Sequence, residues 1–190
     1  VADPPENGEH AASLYRASDG AFVLRLTVMK SENLRALFLY SDDPVREGRE
    51  WLESSEGHQA STTAVMALVN ASGVVDHACR IAKLRGRGNG TWALDKRAYQ
   101  MKLENKADLL DRGVPAERNR KWVLLADARD DTLLHNRITF DLALELGLSQ
   151  SSGSEHVDLY YDDEYRGTYL LCEKSEVNEG RVEQVGPQPA

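Results

Sequence analysis

Three glycines, an Asn and two arginines fall within the six residues Arg85-Gly86-Arg87-Gly88-Asn89-Gly90, and Thr91-Trp92 follow at once. Glycine reaches backbone angles closed to other residues and leaves N–H groups exposed above a turn. Such concavities bind anions, and flanking guanidinium groups add charge. The next apolar stretch, Tyr99-Gln100-Met101-Lys102-Leu103, carries a lysine into a strand. From Lys83 to Lys102 six basic residues stand against one acid, Asp95, a local balance of +5 in a chain of net charge −8. That contrast points to a phosphate site. A hairpin turn built of Gly and Asn uses the same residues without any ligand.

The elements that would position this stretch are bounded by composition. At 190 residues and 41% hydrophobic, the chain holds one substantial core with flanking tails. Net charge −8 argues against general nucleic-acid binding, which needs a broadly basic face. No apolar run of about 18 residues is present, so no membrane span is expected. Val1 is not a start methionine and no signal peptide is visible, which reads as part of something longer. Cys79 and Cys172 fit no metal motif; their pairing and their remaining as two free thiols both stay open.

Along the chain, residues 1–20 are polar and contain Pro4-Pro5, the pattern of a linker or frayed end. Phe22–Val28, Leu34–Tyr40, Thr62–Val69, Val74–Leu84 and Ala98–Leu103 read as strands, with Pro44–Ser54 as a short helix turning Trp51 and Leu52 inward. Lys121–Leu125 is a short buried run. Asp130 or Asp131 is placed to cap a helix running to about Leu146, with Gly147 at its C-terminal end. Leu134, Ile138, Leu142 and Leu146 stack at intervals of four, and the first three would face strand residues such as Val123, Leu125 and Leu171. Val157–Tyr161 and Tyr165–Glu173 form a hairpin across Asp162-Asp163-Glu164. Residues 155–183 hold nine acids and three bases, a balance of −6, either a solvated edge or a cation or substrate site. The tail 186–190 has no reason to fold.

These pieces together resemble one family. Gly86-Arg87-Gly88-Asn89-Gly90-Thr91-Trp92 is similar to the GRGNSTW signature of the CotH (spore coat protein H) kinases, and Tyr99–Leu103 to the YKIKL-type strand that follows it. Lys121–Ala126, Asp130 and Leu133-Leu134-His135-Asn136 resemble the KWVLLAN…D…LLRN segment. Val157–Glu173 resembles the family hairpin. The resemblance runs in order over roughly residues 80–182. It departs at Gly90, where Ser is usual, at His135, where Arg is usual, and at Asp163, where the turn usually has Gly.

The resemblance implies an α+β fold, a mostly antiparallel sheet with one long helix, similar to the small lobe of an atypical protein kinase over residues 21–185. It implies phosphate transfer from ATP, with Mg, to Ser of secreted or coat proteins, at an extracellular or cell-surface location. Carried over, Arg87, Gly88 and Asn89 would line the phosphate end and Lys102 would take the role of the strand lysine. Glu173, with Lys174-Ser175-Glu176, would lie in the inter-lobe connection beside the adenine. The ordinary G-x-G-x-x-G and P-loop patterns are both unmatched. The acids that hold metal and receive the hydroxyl proton would follow that connection, so no catalytic residue is named. On this reading the chain would lack its C-terminal lobe and be inactive alone. The rival reading is a non-catalytic, invasin-like interaction domain at the cell surface.

Overall fold

The computed structural model describes residues 33–54, 60–113, 118–148 and 151–174, together with the backbone of 9–15 and 22–29. The tail 186–190 and the connection past Lys174 lie outside the described residues. The elements are β1 (Glu9–Tyr15), β2 (Phe22–Met29), β3 (Arg35–Ser41), α1 (Arg49–Ser54), β4 (Thr62–Val69), β5 (Val75–Arg87), β6 (Ala98–Ala107), β7 (Asn119–Leu125), α2 (His135–Glu145), β8 (Ser154–Tyr161) and β9 (Glu164–Glu173). β1 falls in the stretch expected to be a linker, and pairs antiparallel with β2.

The other seven strands close a barrel in the order β3-β4-β5-β6-β7-β9-β8. Every neighbouring pair is antiparallel except the closing one, where β3 runs parallel to β8 with Leu37 opposite Leu159. This overturns the expected α+β lobe with one long helix. The two described helices are short, 6 and 11 residues, and the sheet closes around its own core instead of packing one face against a long helix. The reason lies in the strands. In β6, Tyr99, Met101 and Leu103 are fully buried while Lys102 and Glu104 are exposed, the period-two pattern of a wall with one dry side. Inward residues of all seven strands, from Leu37, Met66 and Ile81 to Trp122, Leu159 and Leu171, fill the interior as one cluster.

Helix α2 is the second correction. Leu134, Ile138 and Leu142 are 46%, 56% and 51% exposed, and no residue of the helix is buried. They do not face Leu171, which points into the barrel. The ends of the helix follow the sequence more closely. The Asp130 carboxylate accepts from the first helical N–H, at His135, and Gly147 ends the helix at φ +71. Cys79 and Cys172 are not joined by a disulfide, Cys172 being buried and Cys79 half-buried.

One barrel end is closed by α1, whose Leu52 is buried in the core cluster, whereas Trp51 stays 39% exposed. The β8–β9 hairpin turns through Asp162 and Asp163, both at positive φ as a two-residue turn matching strand twist requires. The Asp162 carboxylate accepts from the Ser41 and Arg49 backbone N–H groups at 2.7 and 2.8 Å, tying hairpin, β3 and α1 together. Beside it Glu53 gathers Arg49 at 2.9 Å, Arg97 at 3.5 Å and Arg166 at 3.8 Å, and accepts from the Tyr99 hydroxyl. At the opposite end Arg35 meets Glu155, Asp111 and Asp76.

Candidate functional site

The glycine turn joins β5 to β6 at the end that α1 closes. Gly86 is still in β5, paired with Tyr99, and is not part of the turn itself. A side chain there would collide with the indole of Trp92. Gly88 makes the turn, at φ +116, with Thr91 Oγ1 2.5 Å from where its Cβ would stand. The Trp92 N–H then donates to the Asn89 carbonyl at 3.1 Å. Arg97 locks the return: its Nε donates to the Trp92 carbonyl at 3.0 Å and its guanidinium lies 5.1 Å from the ring centre. Asn89 and Gly90 are exposed at the tip.

Below the turn a cavity of about 380 Å³ opens between Thr91, Lys96 and Ala98 on one side and 125–130, His135 and Asn136 on the other. The loop after β7 shapes it. Asp127 adopts φ +46 and Leu133 φ +59, in two successive turns closed by Asp130 N–H to the Asp127 carbonyl and Leu133 N–H to the Asp130 carbonyl. A left-handed leucine is unusual and marks a loop held in one shape by its surroundings. His156 Nε2 lies 2.9 Å from the Leu133 carbonyl, and Asn136 Nδ2 donates to Asp127 Oδ1 at 2.5 Å.

Lys96 is the most constrained cation of the cavity. Its Nζ donates to the Thr168 carbonyl at 2.6 Å and lies 4.8 Å from the Tyr169 ring centre. Burial pushes its ammonium below the usual lysine range, and Asp127 opposes that shift. Arg129 also lines the cavity, exposed. The Asp130 carboxyl is held down to about 2, first by the Thr132 hydroxyl and then by the His135 N–H.

The expected site residues are not gathered in one place. Arg87, Gly88 and Asn89 stand at the turn, whose Thr91 reaches the cavity. Lys102 projects from the outer barrel wall, exposed, with Lys83 and Lys121 opposite it on the two neighbouring strands. Ala98 and Leu125 alternate with the buried Tyr99 and Leu124, so the cavity and this lysine row share the outer face. Glu173 lies at the far end of the barrel, buried, with Arg112 at 2.6 Å and the Gly153 N–H at 3.2 Å. Lys96 and Arg129 are what the sequence reading did not single out. Lys96 was one cation among six, and nothing in local spacing separates it from Lys102.

The CotH kinase protein family model matches residues 84–186. This chain belongs to the CotH kinase family. No curated protein matches it. The CotH segment begins inside β5, so it takes in the glycine turn, both walls of the cavity, α2 and the β8–β9 hairpin. It leaves out β3, β4 and α1, which complete the barrel and supply Arg49 and Glu53. Among the described residues of this CotH-family chain, no three His, Cys, Asp or Glu side chains form a metal cage, and no described helix is long and apolar enough to cross a membrane.

Proposed function

We propose that the cavity under the glycine turn receives the phosphate end of ATP and that the protein serves phosphate transfer to Ser of a secreted or coat protein. The observation that carries this reading is Lys96, half-buried, fixed by Thr168 and Tyr169, at the wall of a cavity capped by the family's glycine turn. An ammonium carries three donors, and the carbonyl uses one, so two remain for a ligand. A desolvated cation gains most from an incoming anion, because the anion replaces the lost hydration. Thr91 and Arg129, which line the same cavity, supply further donors. Arg87 and the outer row of Lys83, Lys102 and Lys121 extend a positive field along the face toward it.

The donor set fits a phosphate-bearing group, and the cavity volume lies within the range of small-ligand sites. The residues present do not make a metal-binding set, since Asp127 is engaged by Asn136 and Asp130 by Thr132 and His135. The role of this chain's residues is positioning and charge neutralisation, the two contributions that dominate phosphoryl transfer. Titration of the purified chain with a fluorescent ATP analogue tests the reading, with inorganic phosphate as competitor. Saturable binding that Lys96→Ala weakens about tenfold or more is expected. Absence of binding by the unaltered protein would overturn it and favour a non-catalytic surface domain.

A further inference from the structure

We propose that Asn89 is a site of spontaneous deamidation, a slow covalent change built into the tip of the glycine turn. Within the described residues Asn89-Gly90 is the one asparagine followed by glycine. Asn89 is exposed, and its side-chain amide holds no hydrogen bond among the described residues. No atom lies within 4 Å of the position a Gly90 side chain would take, so nothing obstructs ring closure there. The reaction needs the Gly90 nitrogen to lose its proton and attack the Asn89 amide carbon. Arg85 and Arg87, with Lys83 behind them, favour that transient negative charge.

The atoms balance without any co-reactant but water. The Gly90 nitrogen bonds to Asn89 Cγ, the Cγ–Nδ2 bond breaks, and ammonia departs with the Gly90 proton, leaving a five-membered succinimide. Water then opens the ring at either carbonyl. Opening at Cγ gives Asp, whereas opening at the backbone carbonyl gives isoaspartate, with the chain now routed through Cγ. Both products place a carboxylate where a neutral amide stood. The isoaspartate also lengthens the backbone between Gly88 and the Trp92 N–H that bonds the Asn89 carbonyl.

Asn70 provides a control inside the same molecule. Its Oδ1 accepts from the Ser72 and Val74 N–H groups at 3.0 and 3.1 Å, and its Nδ2 donates to Asp76 at 2.8 Å. Its amide is engaged through both oxygen and nitrogen, and the following residue, Ala71, carries a side chain. The functional consequence rests on the reading of the cavity as a phosphate site: a new negative charge at the turn tip repels a triphosphate.

The purified chain is aged in dilute, mildly alkaline buffer and its tryptic peptide Gly88–Lys96 is followed by mass spectrometry with isoaspartate detection. Asp and isoaspartate should accumulate at Asn89 while Asn70 stays intact. Gly90→Ser should slow the conversion about tenfold, since a side chain restricts the backbone that must close on Cγ. Gly90 sits in open space without a positive φ, so that variant keeps the fold. Conversion at Asn89 no faster than at Asn70, or an unchanged rate in Gly90→Ser, overturns the proposal. Asn89→Asp should weaken binding of the ATP analogue about tenfold, and equal affinity would overturn the functional consequence. Failure of the fresh protein to bind nucleotide would remove the phosphate reading and leave the peptide measurement to decide the modification by itself.

Discussion

The indole ring of Trp92 fills the space into which a side chain at Gly86 would project. Gly86, the last glycine of β5 before the turn, is thus a packing glycine, and the tryptophan six residues on is its partner. Gly86→Ala should lower stability by about 1–3 kcal/mol, the usual cost of forcing extra volume into a packed contact. Gly90→Ala, in open space, should stay within about 0.5 kcal/mol. Urea denaturation of both variants checks the pair. Equal stabilities would mean that the ring moves aside freely.

Glu53 concentrates the charge at the α1 end of the barrel. Its side chain is 9% exposed and faces Arg49, Arg97 and Arg166, themselves 12%, 25% and 17% exposed. Removing one partner of a buried ion cluster leaves the others uncompensated, at about 3–5 kcal/mol for a fully buried pair. Partial exposure screens these groups, so Glu53→Ala should cost about 2–3 kcal/mol. Arg166→Met in the same background should recover part of the loss, because it removes one of the stranded charges. Thermal unfolding of the single and double variants measures this, and an additive further loss would rule out the coupling.

How much of this was legible in the sequence depends on whether a feature is local. Strands β3 to β6, β8 and β9 were legible as apolar stretches bounded by turn residues and β7 only as a short buried run, and the turn chemistry of Gly88, Gly147 and Asp162-Asp163 is written in single residues. Closure of the barrel is not local. It requires Leu37 of β3 to meet Leu159 of β8, more than a hundred residues apart, and alternation looks the same in an open sheet as in a closed one. The cavity was half legible. The turn was visible, but Lys96 acquires its place only when Thr168 and Tyr169 arrive from β9.

The Asp130 carboxyl gives the site a pH signature. Its value falls from 3.8 to about 2 because the folded state supplies the Thr132 hydroxyl and the His135 N–H as donors. A carboxylate depressed on folding contributes stability that is present above its unfolded value and is lost as pH falls through the folded one. The start of α2 should therefore begin to weaken as pH falls below 3.8 and lose this contribution as pH drops through about 2. NMR titration of the Asp130 carboxyl and of the His135 amide checks the expectation. A midpoint near the ordinary carboxylate value would show that the cap does not form in solution.

Helix α2 yields the prediction that separates the two pictures of this chain most sharply. Read from the sequence, the leucine stripe four residues apart belongs to the core, and each truncation should be severe. In the barrel, Ile138 is 56% exposed and Leu142 51%, while Leu159 of β8 is fully buried. Burial decides the cost, since a side chain already half in water loses little transfer energy when removed and leaves no sealed cavity. Ile138→Ser and Leu142→Ser should each change stability by no more than about 1 kcal/mol, the residual cost coming from half-buried surface and lower helix propensity. Leu159→Ala should cost about 2–5 kcal/mol, because the closed wall around it cannot collapse into the gap. Urea midpoints of the three variants at constant slope decide between the pictures. Losses at Ile138 and Leu142 as large as at Leu159 would place the helix in a core and refute the exposed arrangement.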